Sequence, residues 1–137
     1  MKKNLLFVIC LLACGLVSLH TELATAQTPR QEYPRPQFER NVWQNLNGQW
    51  TFTFDFGKTG QDRNYPNSKG FDGKIIVPFC AESKLSGVAY TDFINSMWYQ
   101  RSITVPADWK GQNILLHFGA VDYEATIFID GQQVCKH

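Results

Sequence analysis

Hydrophobic and polar side chains alternate along residues 50–56, which read Trp-Thr-Phe-Thr-Phe-Asp-Phe. Successive side chains of a β-strand point to opposite faces. The four aromatic side chains therefore share one face, and the two threonines and the aspartate share the other. The pattern predicts a strand with one buried face.

Further segments have strand character and are bounded by turn-forming residues. Pro78 and Pro106 end two of them, because proline cannot donate to a β-ladder. Asp130-Gly131 predicts a hairpin, since both residues tolerate the positive φ of a primed turn, and the returning strand is expected from Val134. With residues 50–56 this makes six predicted strands, the other five being 74–77, 98–105, 113–118, 123–129 and 134 onward.

The segments between these strands differ in character. Residues 57–73 are rich in glycine, proline and asparagine and predict a long surface loop. Residues 79–97 are irregular but aromatic, which favours a packed, functional loop. No helix-period segment follows residue 26, so the pattern predicts an all-β sandwich over residues 42–137, preceded by a proline-containing extended arm over residues 27–41.

The first 26 residues have the pattern of an export signal. Lys2 and Lys3 precede the apolar run 5–17, and Ala24-Thr25-Ala26 suits cleavage before Gln27. Lipoprotein processing at Cys14 is the alternative, and a buried core helix is the third interpretation. The first two predict an exported protein, periplasmic or extracellular, that meets the membrane only if Cys14 is lipidated.

Charge and cysteine content narrow the function classes. The chain has 13 basic and 12 acidic residues, and loss of the signal segment leaves 11 of each. With no run of like charge or basic patch in the sequence, nucleic acid is not an expected partner. Cys80 and Cys135 either form a disulfide or remain two half-buried thiols on separate strands, and the absence of a framework spacing favours free thiols.

No cofactor or metal motif occurs, and neither a phosphate-binding glycine loop nor a nucleophile elbow is present. We therefore expect no cofactor and no metal site.

A more specific signal comes from five short motifs that occur in a fixed order: Trp43-Gln44-Asn45-Leu46-Asn47-Gly48-Gln49-Trp50, Val77-Pro78-Phe79, Trp98-Tyr99-Gln100-Arg101, Val105-Pro106-Ala107-Asp108-Trp109 and Phe118-Gly119-Ala120-Val121-Asp122-Tyr123.

Together these motifs resemble the N-terminal sugar-binding domain of glycoside hydrolase family 2, which includes β-galactosidases, β-glucuronidases and β-mannosidases. The resemblance covers residues 40–137. It implies a jelly-roll β-sandwich similar to galactose-binding modules, a carbohydrate partner and an enzyme that hydrolyses O-glycosidic bonds. Cys135 and Cys80 depart from the family pattern, which commonly has glycine and a small residue at these positions.

In this family the two catalytic glutamates lie on a (β/α)₈ barrel that follows an immunoglobulin-like domain. Of the Gly-Gly-Tyr type segment that follows the hairpin, only His137 is present, so we expect an incomplete sugar-binding domain without the barrel. No catalytic residue is expected among the scattered glutamates Glu32, Glu39, Glu82 and Glu124.

Three interpretations follow for the function. The first is the sugar-binding part of a secreted family 2 enzyme, which would associate with further glycosidase domains. The second is a stand-alone, non-catalytic carbohydrate-binding module, against which the unfinished last hairpin argues. The third is an interaction protein whose sandwich is completed by strands of another chain.

The resemblance implies that the loop 85–97 reaches toward the active site, which nominates Asp92, Asn95 and Tyr90 as substrate contacts. Carboxylate and amide groups suit sugar hydroxyls, and aromatic rings such as Phe93 stack on sugars, although Asp and Asn in loops often cap turns. Arg101 either binds an acidic sugar or pairs with a nearby aspartate such as Asp122. The four tryptophans are expected to pack in the core rather than to stack on sugar.

Overall fold

The computed structural model describes residues 28–137. The predicted signal segment, with its alternative lipidation at Cys14, lies outside the described residues and stays a prediction. Within residues 28–137, no helix has both the length and the apolar character needed to cross a membrane.

Within residues 28–137, five strands form two antiparallel sheets. In the first sheet the order is β2-β1-β3, and in the second β4 pairs with β5. The remaining regular elements of residues 28–137 are single turns of 3₁₀-helix, so the all-β prediction is confirmed and the architecture is consistent with part of a β-sandwich. The strands are β1 (Gly48–Phe54), β2 (Gly73–Val77), β3 (Met97–Gln100), β4 (Thr126–Ile129) and β5 (Gln132–Lys136).

One face of the first sheet carries the hydrophobic core and is called the core face below. Trp50 lies opposite Ile75 on β2, and Phe54 lies opposite Met97 on β3. Phe52 and Ile75 are buried, and Ala81, Val88 and Ile94 from the segment between β2 and β3 pack against them. The aromatic alternation of β1 thus builds the core, as its period of two predicted.

The opposite face of the same sheet, the polar face, carries different side chains. Thr51 lies opposite both Lys74 and Gln100, so the three form a row across the sheet. Trp98 also lies on this face and packs against Phe128 of β4, with ring centroids 5.6 Å apart. The Trp98–Phe128 contact connects the first sheet to the β4–β5 hairpin.

The predicted strands agree with the structure in part. β2 matches the predicted segment, whereas β1 starts two residues earlier than predicted and ends at Phe54, so that Phe56 lies in a turn. β3 ends at Gln100 rather than at residue 105. Its ladder with β1 stops there, and the side chain of the next residue, Arg101, donates to the carbonyls of residues 46 and 47.

The prediction of a strand over residues 113–118 is wrong, since this segment has no regular secondary structure. A strand persists only where neighbouring backbone satisfies its N–H and C=O groups, and no described segment pairs with residues 113–118. The predicted hairpin is confirmed, with φ of 48° at Asp130 and 78° at Gly131. Its second strand begins at Gln132 rather than at Val134.

Within residues 28–137, Cys80 and Cys135 are both free and both exposed. The preference for free thiols over a disulfide is therefore confirmed, while the expectation that they are half-buried is wrong. Cys80 lies in the turn after β2, and Cys135 lies on β5, whose side chains are all exposed.

Candidate functional site

The predicted contact residues lie on the long connection between β2 and β3, which is anchored at its centre. The Ser86 side chain is fully buried, donates to the carbonyl of Ser83 at 2.7 Å and accepts from the Val88 amide at 3.1 Å. The Ser83 hydroxyl accepts from the Leu85 amide and so caps the single helical turn Lys84–Ser86. Local hydrogen bonds therefore give this connection a defined shape.

Tyr90 lies on the core face. Its ring centroid is 4.7 Å from that of Phe54 and 6.2 Å from that of Phe56, and its amide donates to the Ala81 carbonyl at 3.0 Å. The half-buried ring joins the aromatic cluster at the end of β1. This position anchors the loop and leaves part of the ring exposed.

Asp92 and Asn95 are exposed on the same loop. One Asp92 carboxylate oxygen accepts a hydrogen bond from the Phe93 amide at 2.7 Å, which is the turn-capping role weighed against sugar binding. The other carboxylate oxygen and the Asn95 amide group make no side-chain hydrogen bond with a described residue. Phe93 is 77% exposed, so an uncovered aromatic ring stands between these two polar groups in the sequence.

A second candidate site is a cleft on the polar face of the first sheet, with a volume of about 170 Å³. Three cationic side chains contribute to its lining, and no acidic side chain does. The lining residues are Gln49, Trp50, Thr51, Lys69, Gly70, Lys74, Gln100, Arg101 and Ser102. This cleft was not predicted, because Arg101 is far in the sequence from Lys69 and Lys74.

Hydrogen bonds between a strand and a loop form one wall of the cleft. The Gln100 side-chain amide donates to the Ser68 carbonyl at 2.6 Å and accepts from the Ser68 hydroxyl at 2.9 Å. This pair holds the segment containing Lys69 and Gly70 beside β1, where Gly70 lies next to the Thr51 side chain. The loop is thereby attached to the sheet at the cleft.

Arg101 forms another part of the lining, and its partners differ from those expected. One terminal nitrogen, Nη1, donates to the carbonyls of Leu46 and Asn47 at 2.6 and 2.8 Å. Asp122 forms no ion pair with it, so the expectation of an Arg101–Asp122 pair is wrong. The indole of Trp50 donates to the same Leu46 carbonyl at 2.7 Å, and these contacts fix the guanidinium at the end of β3.

A buried carboxylate lies close to the polar face, where sequence analysis had only counted it among the polar positions of a strand. Asp55 is 4% exposed and accepts hydrogen bonds from the Trp98 indole at 2.9 Å and from the amides of Gly60 and Thr59 at 2.7 and 2.9 Å. Burial by itself raises the pKa of Asp55, but these hydrogen bonds outweigh it and lower the pKa below 3.8. The one available signal was Asp55 followed closely by Gly57 and Gly60, which is typical of a side chain that organises a turn.

The four glutamates weighed as catalytic residues are exposed and dispersed along the chain. Glu32 pairs with Arg30 at 3.8 Å and Glu124 pairs with Lys136 at 3.2 Å. Within residues 28–137, no group of three or more histidine, cysteine, aspartate or glutamate side chains is arranged to hold a metal ion.

Three of the four tryptophans, Trp43, Trp50 and Trp98, contact other aromatic rings or the core. Trp50 packs against the core cluster, Trp43 makes an edge contact with Tyr33 at 4.9 Å, and Trp98 contacts Tyr65 and Phe128. For Trp50 and Trp98 the expected packing role is confirmed.

The fold is thus all-β, and its two candidate surfaces are the loop 85–97 and the cleft. Comparison of the sequence with known proteins identifies relatives, although no family model matches the chain. A β-glucuronidase of Paenibacillus borealis is 24% identical over 106 residues, and one of Streptococcus agalactiae is 28% identical over 105 residues. A β-glucuronidase of the cat, Felis catus, is 26% identical over 117 residues.

Each of these matches covers 77% of this chain, whereas the chain spans only 16–18% of the length of the relatives. The similarities confirm the resemblance to glycoside hydrolase family 2, and the chain is related to glycoside hydrolases.

Proposed function

We propose that the chain is the sugar-binding part of an exported family 2 glycosidase and that its β-sandwich is of the jelly-roll type. The similarity to three β-glucuronidases carries this proposal, because it points to the same family as the ordered motifs between Trp43 and Tyr123. Among the glycosides of the family we propose a β-glucuronide as the substrate, since the relatives are named for that activity.

In this proposal the loop 85–97 contacts the sugar. The free carboxylate oxygen of Asp92 accepts hydrogen bonds from hydroxyl groups, and the Asn95 amide both donates and accepts. Tyr90 and the buried Ser86 hold the loop in place, which reduces the entropy lost on binding. The exposed ring of Phe93 supplies an apolar surface for the face of a sugar ring.

The proposal assigns hydrolysis to groups outside residues 28–137. A retaining glycosidase needs two carboxyl groups about 5 Å apart, one as acid and one as nucleophile. The exposed, dispersed glutamates of this chain do not suit those roles, and the buried carboxylate of Asp55 is fully engaged by its hydrogen bonds. We therefore propose that this chain contributes binding and that further glycosidase domains contribute catalysis.

A stand-alone carbohydrate-binding module is the second candidate. The closed β4–β5 hairpin favours it, because β5 pairs with β4 over four residue pairs and His137 exchanges two backbone hydrogen bonds of 2.8 Å with Ala125. β5 is thus paired with its neighbour as far as His137. In that case the same loop binds sugar without a catalytic partner.

Isothermal titration calorimetry of the purified chain tests the proposal, with the methyl β-glycosides of glucuronic acid, galactose and mannose as ligands. We expect saturable binding that is strongest for the glucuronide. Asp92→Ala and Asn95→Ala each weaken binding about three- to tenfold, as loss of a hydrogen bond predicts. Tyr90→Phe keeps the packing on Phe54 and shows whether the hydroxyl contacts sugar.

Asp108→Ala is the matched control, because Asp108 is an exposed aspartate in the separate turn Ala107–Trp109. Absence of saturable binding for all three glycosides would contradict the proposal. If Asp108→Ala weakens glycoside binding as much as Asp92→Ala does, the loop 85–97 is not the sugar-binding surface. If the chain alone released 4-nitrophenol from 4-nitrophenyl β-D-glucuronide, both candidate functions would be contradicted, because each assigns only sugar binding to this chain.

A further inference from the structure

The cleft on the polar face concentrates positive charge in a chain whose basic and acidic residues are nearly balanced. Lys69, Lys74 and Arg101 line it, and the acidic residue nearest to Lys74 in sequence, Asp72, does not. Within residues 28–137 the two ion pairs are Arg30 with Glu32 and Lys136 with Glu124, so none of the cleft cations has a carboxylate partner. Three unneutralised cations around one concave surface attract an anion.

The guanidinium of Arg101 is oriented before any ligand arrives. Its Nη1 is held by the Leu46 and Asn47 carbonyls, while Nη2 and Nε make no hydrogen bond with a described residue. A planar guanidinium with two adjacent free donors matches the geometry of an oxyanion, and prior fixation lowers the entropy lost on binding. Arg101 is therefore suited to bind a carboxylate or sulfate group.

The two lysines reach the cleft from different elements. Lys74 lies on β2 directly opposite Thr51, and Lys69 lies in the loop that Gln100 fastens through Ser68. Both lysines are exposed, so their flexible ammonium groups can approach a ligand over the guanidinium.

The size and the neutral lining of the cleft indicate what carries the anion. Its volume of about 170 Å³ is smaller than the roughly 300 Å³ at which pockets for drug-sized ligands begin, which suits a single sugar ring. Ser102 offers a hydroxyl group and Gln49 an exposed amide, and the Thr51 hydroxyl, which donates to the Gln100 carbonyl at 3.1 Å, can still accept a hydrogen bond. Such groups accept hydrogen bonds from sugar hydroxyls, and a fully ionised inorganic sulfate has no donor to offer them.

From these observations we propose that the cleft is a second carbohydrate site, one that binds the carboxylate or sulfate group of an acidic saccharide. It is distinct from the loop 85–97, because Tyr90 packs on Phe54 at the core face and the cleft lies around Thr51 on the polar face. The proposal holds whether or not that loop contacts a substrate.

Backbone NMR titration of the purified chain tests the site with four probes at equal ionic strength: glucuronate, galactose 6-sulfate, galactose and sodium sulfate. The amides of residues 49–51, 69–74 and 100–102 should shift saturably with one or both acidic sugars. Shifts with only one of them identify carboxylate or sulfate as the group recognised. Binding should weaken as salt is added, since exposed charges are screened.

Lys69→Gln and Lys74→Gln should each weaken binding of the acidic sugar about two- to fivefold, the effect expected for a partly exposed charge. Both lysines are exposed, so neither substitution should disturb the fold. An unchanged thermal unfolding midpoint would verify this. Lys110→Gln removes an exposed cation outside the cleft and serves as the matched control.

The proposal is overturned if no probe binds saturably, if galactose binds as tightly as the acidic sugars, or if Lys110→Gln weakens binding as much as the cleft variants do. Inorganic sulfate binding as tightly as galactose 6-sulfate would also overturn it, because the sugar would then contribute nothing. Shifts confined to residues 90–97 would assign acidic-sugar binding to the loop alone and contradict a second site.

Discussion

Asp55 is a buried carboxylate at the end of β1, and it organises the loop that follows. It accepts hydrogen bonds from the Gly60 and Thr59 amides and from the Trp98 indole of β3. An added Cβ at Gly60 would overlap Trp98 and the Asp55 carboxylate, so a larger residue does not fit there. One side chain thus joins β1, β3 and the following loop.

Asp55→Asn should lower the free energy of unfolding by about 2–3 kcal/mol. The amide keeps one acceptor but turns the other into a donor, which then faces the N–H groups that Asp55 now accepts. Urea unfolding followed by tryptophan fluorescence measures the loss. Asp62→Asn, at an exposed position of the same loop, is the control and should change the free energy by less than about 0.5 kcal/mol.

The lowered pKa of Asp55 predicts a dependence of stability on pH. Because the pKa is lower in the folded chain than its ordinary value of 3.8, the carboxylate stabilises the fold fully above that value, and the contribution disappears as pH falls through the folded pKa. The difference in urea midpoint between the native chain and Asp55→Asn should therefore be constant from pH 7 to 5 and shrink below pH 4. A difference that stays constant down to pH 2 would disprove this role.

The sequence indicated which side chains are polar but not which of them are buried. Asp55 follows the alternation of β1 like Thr51 and Thr53, and only the fold brings Trp98 and Gly60 to it. Arg101 was assigned a carboxylate partner because that is its commoner role, yet the end of the β3 ladder placed two carbonyls nearer.

Among the elements, the β4–β5 hairpin depends on its turn and on a contact with a distant loop. Gly131 has φ of 78°, and an added Cβ there would overlap the side chain of Asn67, which donates to Asn64 at 2.6 Å. Gly111 also has positive φ, 83°, but an added Cβ would meet no atom within 4 Å. Substitution of Gly111 therefore measures backbone strain alone, whereas substitution of Gly131 measures backbone strain together with steric overlap.

Gly111→Ala should lower the free energy of unfolding by about 1 kcal/mol, the effect of an alanine in the left-handed region. Gly131→Ala should lower it by about 1 kcal/mol more, because Asn67 must move and lose its hydrogen bond to Asn64. Chemical denaturation of both variants measures the two values. Equal losses would show that the contact between the hairpin and Asn67 does not contribute to stability.

The elements that sequence predicted well are those specified by local pattern. β1 has strict alternation and the hairpin has Asp130-Gly131, and both form, with β1 and β5 each beginning two residues earlier than predicted. Residues 113–118 have equally apolar side chains, but strand formation also requires a neighbour with matching backbone groups, which a local pattern cannot reveal. The same dependence on partners shortened β3 at Gln100.

For the whole molecule, the first sheet separates two candidate surfaces. The loop 85–97 is anchored on the core face through Tyr90, and its residues were nominated from the family resemblance. The cleft cations come from β2, a loop and the end of β3, and an even distribution of charge along the sequence concealed their convergence. The resemblance therefore indicated one surface, and the strand register revealed the other.

Hydrogen–deuterium exchange of the chain with methyl β-D-glucuronide tests directly whether the loop 85–97 binds sugar. We predict that saturating glucuronide slows exchange in peptides covering residues 88–97, and that Asp92→Ala abolishes this protection while the β4–β5 hairpin is unaffected. Slower exchange of residues 69–74 in the same experiment would indicate ligand binding in the cleft and not in the loop. Unchanged exchange across residues 88–97 at saturating glucuronide would contradict the central claim.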